Sequence, residues 1–236
     1  MMRAIALFVV AFLLWVAPVR MLAQETTRPT VSNGVWLSAQ VRGNVPWALG
    51  RALGKYNRNI RLSGELGHRS ADNFFAGRQI YLETGLRYKL NKTFDIGGEY
   101  RYADRGPSRT NRHRLQLSAS ADRSFGRLDL SYRLVHQWTY RKHDTTTRFI
   151  RNRLGFEFNI PNWKLDPEFS VEFFTRTDDP RGWNYDGSRY RFGTKYKIND
   201  KHSLDATLIY DRDEFVAWPT RRIILSLGYV MDLRWL

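Results

Sequence analysis

The chain has 236 residues, no cysteine and a formal charge of +15. The lack of cysteine excludes disulfides and every metal or redox motif built on thiols. Beyond residue 24 no apolar run is long enough to cross a bilayer as a helix, and the mean hydropathy is −0.51, so a bundle of membrane-spanning helices is excluded as well.

Residues 1–23 have the pattern of a cleaved secretory signal peptide. Arg3 is followed by an apolar stretch over 4–17, and the small Ala23 precedes polar residues. This stretch is shorter than the roughly 20 apolar residues of a spanning helix. An uncleaved signal anchor is the alternative, and Pro18 and Ala23 argue against it. Export makes nucleic acid an improbable partner for this basic chain and favours anionic lipid phosphates or an acidic solute.

Residues 24–34 form a lead segment, and 35–236 are predicted to be one β domain, because apolar and polar residues alternate there with period two. In segment 80–90, Leu82 and Leu86 fall on one face while Glu83 and Arg87 fall on the other. Such alternation in short segments is typical of a transmembrane barrel. The clearest predicted strands cover 35–42, 80–90, 94–102, 115–121, 128–138, 150–160, 167–175, 190–198, 204–210 and 223–235.

The number of strands follows from their count and from parity. Ten alternating segments from Asn59 onward and one more at 35–42 make eleven. Both ends of a single-chain bacterial barrel usually lie on the periplasmic side, which requires an even number. We therefore predict an all-β, antiparallel up-and-down transmembrane β-barrel of twelve strands, with a further strand hidden within 25–57. Ten strands, with the first segment outside the wall, is the alternative.

The connections alternate in length along the chain. Those at 91–92, 124–127 and 199–202 are short, whereas 103–111, 141–147, 177–188 and 212–220 are long and polar. Short periplasmic turns and longer outer loops are typical of such barrels. Segment 85–91 (GLRYKLN) is echoed at 193–199 (GTKYKIN), which indicates that hairpins are the repeating unit.

A soluble β-sandwich is the main alternative fold, because it also alternates polar and apolar residues. Aromatic residues near the predicted strand ends favour the barrel, since Trp and Tyr collect where a barrel meets the bilayer interfaces. The predicted interfacial aromatics are Trp36, Tyr100, Tyr102, Trp138, Tyr196 and Trp235.

The face opposite the apolar one is strongly charged and is predicted to line the lumen. Its signs nearly balance, so opposed charges on adjacent strands can pair and fill a narrow interior. The alternative is a channel whose unequal rings of charge select solutes by sign. The predicted lumen charge ladder consists of Glu83, Arg87, Glu99, Arg101, Arg114, Arg133, Arg151, Arg153, Glu157, Glu168, Glu172 and Arg191.

The surplus positive charge collects in the predicted outer loops. These residues can neutralise lipopolysaccharide phosphates, or they can simply be solvated. They are Arg105, Arg109, Arg112, Arg141, Lys142, Arg148, Arg181, Arg221 and Arg222.

The end of the chain resembles the C-terminal signal by which the barrel-assembly machinery recognises its clients. Ser226, Gly228, Met231 and Leu233 supply its polar, glycine and apolar positions, but 234–236 extend beyond the usual form. More broadly, the mature chain is similar to a family of exported barrels catalogued as a domain of unknown function. The resemblance lies in 35–37 (VWL), 85–90 (GLRYKL), 98–102 (GEYRY) and 148–154 (RFIRNRL), and it implies the fold without an activity.

No constellation for chemistry stands out. The five histidines, His68, His113, His136, His143 and His202, show neither nucleophile nor metal spacing. We predict no catalytic residue, cofactor or metal. The favoured hypothesis is an integral outer-membrane barrel of structural or accessory role, with lipopolysaccharide and the assembly machinery as partners. A small passive porin-like channel for charged solutes is the alternative, and a membrane-embedded hydrolase is the third hypothesis.

Overall fold

The computed structural model describes residues 29–45, 50, 54–70, 77–107, 109–142, 144–180, 182–214 and 219–233, which form a closed barrel of eleven strands. Strands that follow each other in the chain pair antiparallel, and β1 pairs with β11 to close the wall. The strands are β1 (Thr30–Asn44), β2 (Ile60–Ser70), β3 (Gly77–Lys89), β4 (Phe94–Asp104), β5 (Arg112–Phe125), β6 (Leu128–Arg141), β7 (Thr147–Phe158), β8 (Leu165–Arg176), β9 (Asn184–Lys197), β10 (His202–Asp213) and β11 (Thr220–Leu233).

The closed sheet confirms the predicted all-β barrel and corrects its strand number. A two-sheet sandwich is wrong, because every described strand belongs to one sheet around one interior. The predicted twelve strands, and the alternative of ten, are not confirmed, since the described residues make eleven. Segment 35–42 lies in the wall as part of β1, which begins at Thr30, inside the predicted lead segment. The signal peptide 1–23 lies outside the described residues.

The expectation of an even number of strands failed at the seam, which is the pairing of the first strand with the last. β1 and β11 are parallel, with Thr30 opposite Thr220 and Gly43 opposite Leu233. A parallel pair forms its own ladder of hydrogen bonds, so an odd number of strands closes without leaving a bare edge. The start of β1 and the end of β11 therefore lie at opposite ends of the barrel.

The two ends of the barrel differ in their connections. The loop end carries the connections 71–76, 105–111, 142–146, 177–183 and 214–219, and the turn end carries 45–59, 90–93, 126–127, 159–164 and 198–201. At the loop end the strands extend further than predicted, so the loops are shorter than the sequence suggested. The 3₁₀ helix Gly54–Asn59 lies in the turn-end connection between β1 and β2.

Two turns with related sequences have the same structure. Asn91 Oδ1 accepts hydrogen bonds from the N–H groups of Thr93 and Phe94, at 2.8 and 2.9 Å. Asn199 Oδ1 accepts the equivalent bonds from Lys201 and His202, both at 2.9 Å. The predicted repeat of 85–91 at 193–199 therefore corresponds to a repeated hairpin, because the Asn side chain replaces a backbone acceptor in each turn.

Burial is inverted relative to a globular β protein. Exposed apolar side chains cover the outer surface, including Leu66 (57%), Leu82 (54%), Leu117 (53%), Phe192 (62%) and Leu208 (53%). The interior instead buries charge, as at Glu172 and Asp211, of which 1% and 4% are exposed. The period-two alternation of a strand places these two sets on opposite faces of the wall. No helix among the described residues is long and apolar enough to span a membrane.

Candidate functional site: the charged interior

Glu172 on β8 is the centre of the interior charge network. Its Oε1 accepts hydrogen bonds from Arg151 Nε at 3.0 Å and Nη2 at 2.6 Å, and its Oε2 accepts one from Arg191 Nη1 at 3.0 Å. Arg151 also donates from Nη1 to the side-chain oxygens of Gln116 and Gln137, both at 2.8 Å. This one guanidinium therefore links four neighbouring strands, β5 to β8, across the interior.

A second cluster is built around Glu83 on β3. Its Oε2 accepts from Arg101 Nε at 2.7 Å and from Arg114 Nη2 at 3.0 Å. Glu65 lies directly opposite Glu83 in the sheet, and Arg101 lies opposite Arg114, so like charges occupy neighbouring register positions. Pairing of Glu83 with Arg101, its opposite on β4, and with Arg114, the next residue of the same row on β5, compensates this repulsion.

The remaining ladder residues form separate pairs or line a cavity. Arg133 Nη2 donates to Glu99 Oε1 at 2.6 Å, and Arg87 Nε lies 3.5 Å from Asp95 Oδ1. Arg153, Glu157 and Glu168 line a cavity at the turn end. All twelve ladder residues therefore face the interior, as the alternation predicted.

A third cluster joins Arg189, Asp211 and Arg222, which the predicted lumen charge ladder did not include. Arg189 donates two bonds to Asp211, at 3.1 and 2.9 Å, and Arg222 Nη2 lies 3.3 Å from the same carboxylate. Arg222 was predicted to lie in an outer loop, but it belongs to β11 and points inward. The alternation of residues 223–233 could have predicted the inward position of Arg222, because it places even-numbered residues of β11 on the inner face.

One row of directly opposed residues carries much of this charge. The register runs from β6 to β11, one residue per strand, through Arg133, Arg153, Glu172, Arg189, Asp211 and Arg222. Four guanidiniums and two carboxylates therefore lie side by side along the row. Their excess positive charge is compensated by carboxylates from other rows, such as Glu99.

Trp36 does not lie at a membrane interface. The Arg69 guanidinium lies 3.9 Å from the centre of the Trp36 ring, and Arg189 approaches the same ring to 5.3 Å, so Trp36 faces the interior. The prediction that Trp36 is an interfacial aromatic rested only on its residue type. The parity of β1 indicated otherwise, because Trp36 shares its face with Gln40 and Arg42, which pair with interior carboxylates.

Aromatic rings and guanidiniums alternate across the interior. Each neighbouring ring centre and guanidinium carbon lie 3.8 to 5.3 Å apart, which is within the range of cation–π attraction. The order is Arg101, Tyr81, Arg69, Trp36, Arg189, Phe174 and Arg151. This aromatic–arginine chain connects the Glu83 cluster with the Glu172 cluster.

The interior holds a cavity at each end of the barrel. The turn-end cavity has a volume of about 490 Å³ and the loop-end cavity about 280 Å³. Arg191 lines the turn-end cavity, whereas Arg151 and Arg189 line the loop-end cavity. Because Glu172 bonds to Arg191 on one side and Arg151 on the other, its ion pairs form a layer between the two cavities.

The other predicted interfacial aromatics face outward. Tyr100, Tyr102 and Tyr196 expose 45%, 37% and 37% of their surface, and Trp138 stacks on the outward His136 with ring centres 3.9 Å apart. Trp235 lies outside the described residues.

Tyrosines form a level at each end of the outer wall. Near the loop end Tyr102 lies opposite His113, which lies opposite Tyr140. Near the turn end Tyr196 and Tyr229 both lie opposite Leu204.

The loop-end cations divide between connections and strands. Arg105, Arg109 and Lys142 lie in connections, whereas Arg112, Arg141, Arg148 and Arg221 lie in strands; Arg181 lies outside the described residues. In the loop 177–183, the pKa of Asp178 lies below its ordinary value. Burial alone would raise this pKa, but hydrogen bonds from the Arg176 side chain and the Arg148 N–H outweigh the effect of burial.

The residues resembling an assembly signal lie in the second half of β11. Ser226 and Gly228 occupy its inner face, opposite Thr207 and Asp205 of β10. Met231 and Leu233 share the outer face with Leu227, at the turn end.

The described histidines lie on the outer face. His113 Nδ1 lies 2.7 Å from the Tyr100 hydroxyl, His202 Nδ1 lies 2.5 Å from the Tyr229 hydroxyl, and His136 stacks on Trp138. His143 lies outside the described residues. Within the described part of the chain, no group of three His, Asp or Glu side chains could hold a metal ion.

The comparisons with known proteins give a family. No curated protein and no solved structure matches the chain. A family model described as a protein of unknown function (DUF2490) matches residues 33–217, which run from β1 to the loop after β10. Since this match spans more than half of the sequence, the chain belongs to the DUF2490 family.

Proposed function

We propose that this protein is an integral barrel of the bacterial outer membrane whose lumen is closed by ion pairs, and that its role is structural or accessory. The observation that carries the proposal is the inverted burial, with large apolar side chains outside and paired charges inside. In water, so much exposed apolar surface would promote association, whereas in a bilayer it faces lipid. The closed sheet also supports membrane insertion, because it pairs the backbone groups that lipid cannot satisfy.

The outer surface has the banding expected of such a barrel. Tyrosine rows lie near both ends, and leucine and isoleucine lie between them, as at Leu117 and Leu208. Aromatic girdles at both interfaces with an apolar band between them are typical of outer-membrane barrels. The predicted signal peptide 1–23 supports export, and the C-terminal residues of β11 support recognition by the barrel-assembly machinery.

The orientation follows from the connections and the last strand. Outer-membrane barrels place short turns in the periplasm and longer loops outside. Four of the five turn-end connections are short, the exception being 45–59, so the turn end would face the periplasm and hold the end of β11, while the loop end would face the exterior. There Arg105, Arg109 and Lys142 would lie near the phosphates of lipopolysaccharide.

The ion-pair layer supports a closed lumen over a passive channel. Glu172, which is 1% exposed, and its arginines fill the space between the two cavities. The channel is the second candidate, because cavities of about 490 and 280 Å³ already lie at the two ends.

Two measurements test the proposal. The mature chain should insert into phosphatidylcholine vesicles as a folded barrel that migrates differently on a gel before and after boiling. Recovery as a soluble monomer without detergent would contradict the membrane assignment. In planar bilayers the inserted protein should give no unitary current steps, and stable ion-selective steps would favour the channel instead.

An opening variant makes the bilayer measurement sharper. Arg151→Ala combined with Glu172→Ala removes both members of the central pair, so that of the two arginines bound to Glu172 only Arg191 remains and loses its carboxylate. This variant should conduct. The control, Arg87→Ala with Asp95→Ala, removes an ion pair with 3.5 Å separation whose Arg87 side chain is half exposed, and it should stay silent.

A further inference from the structure

The loop-end cavity is richer in positive charge than its own carboxylates can balance. Seven arginines line it: Arg69, Arg112, Arg114, Arg151, Arg189, Arg212 and Arg222. Three carboxylates line it: Asp186, Asp211 and Asp213. Several of the arginines pair with acids behind the cavity wall, such as Glu83, Glu172 and Glu214. The uncompensated positive charge therefore lies at those arginines of the cavity that have no such partner.

Arg69 lines this cavity and has no acidic partner among the described residues. Its guanidinium lies between Trp36 and Tyr81, at 3.9 and 5.1 Å from the two ring centres. Its buried Nε has no hydrogen-bond acceptor within the described part of the chain. The positive charges of Arg101, Arg114 and Arg189 repel the positive charge of the Arg69 guanidinium. A half-buried cation in such surroundings gains strongly from an added anion.

A second group in the same cavity also lacks a partner. Ser32 on β1 is 7% exposed, and its Oγ has no hydrogen-bond partner among the described residues. It lines the loop-end cavity directly opposite Arg222 of β11. A buried hydroxyl normally has a partner, so this oxygen is a free donor for a ligand.

We propose that the loop-end cavity binds a phosphate group, held by the Arg69 guanidinium and the Ser32 hydroxyl in the field of the surrounding arginines. The planar fork of a guanidinium donates two parallel hydrogen bonds to phosphate oxygens. A volume of about 280 Å³ accommodates a phosphate with a small attached group. The phosphate belongs either to a small solute or to a lipid headgroup at the rim.

The test is a calorimetric titration of the mature chain, folded in zwitterionic detergent micelles, with inorganic phosphate at constant ionic strength. Wild type should bind saturably at one site. Arg69→Gln should weaken binding at least tenfold, Ser32→Ala severalfold, and Arg69→Lys to an intermediate degree, because lysine keeps the charge but loses the fork.

The matched control is Arg153→Gln. Arg153 also lacks an ion pair among the described residues, but it lines the turn-end cavity. This variant should bind phosphate like the wild type. Absence of saturable binding by wild type, or equal weakening by Arg69→Gln and Arg153→Gln, would overturn the proposal. Gel migration before and after boiling verifies that each variant is folded. A folded variant that does not bind phosphate therefore contradicts the binding site and leaves the proposed membrane insertion untouched.

The two sources of phosphate are separated by reconstitution. The titration is repeated in vesicles of phosphatidylcholine alone and in vesicles that also contain lipid A. Binding in both assigns the site to a free solute. Loss of binding only in the lipid A vesicles assigns it to the lipid headgroup.

Discussion

Arg151 and Glu172 share two hydrogen bonds, at 3.0 and 2.6 Å, where only 1% of Glu172 is exposed to solvent. Glu172 is therefore the residue on which the interior network depends most. Because Arg191 uses its other oxygen, loss of this one charge leaves two guanidiniums uncompensated.

Glu172→Gln should lower the free energy of unfolding by about 3 kcal/mol, because removing one partner of a buried ion pair strands the other. Urea unfolding in micelles, followed by tryptophan fluorescence, measures this change. Glu157→Gln is the control, since Glu157 lines the turn-end cavity without an ion pair among the described residues. Equal stability of the two variants would contradict the central role of Glu172.

The parallel seam predicts that the start of β1 lies at the loop end. The chain has no cysteine, so single cysteines can be introduced without background labelling. Thr30→Cys and Thr145→Cys should react with a membrane-impermeant maleimide from the same side of the membrane, and Lys201→Cys from the opposite side. An even-stranded barrel would instead place Thr30→Cys on the side of Lys201→Cys.

The two tryptophans Trp36 and Trp138 should differ in their contact with lipid. Trp138 lies on the outer face, whereas Trp36 stacks on Arg69 inside. In vesicles of brominated lipid, Trp138→Phe should reduce the quenched fraction of the fluorescence, and Trp36→Phe should leave the quenched intensity unchanged. A loss of quenched intensity in Trp36→Phe would place that ring against lipid.

Gly67 should tolerate no side chain. A Cβ at this position would overlap the ring of Tyr81, whose hydroxyl donates to Glu65 at 2.5 Å. Gly67→Ala should therefore destabilise the barrel by about 1–3 kcal/mol through overpacking. Gly64→Ala on the same strand is the control, because nothing lies within 4 Å of its Cβ position, and its unfolding midpoint should stay close to that of wild type. Equal loss in both variants would point to strand propensity instead of the Tyr81 contact.

The alternation of residue types was sufficient to predict which side chains face inward. Glu83, Arg101 and Glu172 all lie inside because side chains of a strand alternate between its two faces. The wrong assignments are those that did not follow the alternation of inward and outward side chains. Trp36 was assigned by residue type, and Arg222 by a strand boundary placed three residues too late. Changing the face of a strand residue requires a shift of only one position, so such errors reverse an assignment completely.

The sequence by itself determined an all-β chain with one apolar and one charged face, because period-two alternation and turn residues are local properties. Only the tertiary structure decided how the wall closes and which charges meet. The parallel seam between β1 and β11 joins residues nearly two hundred positions apart. The partners of Glu172 likewise depend on the register of neighbouring strands. Register and closure are set by the packing of all strands together, so no local pattern encodes them.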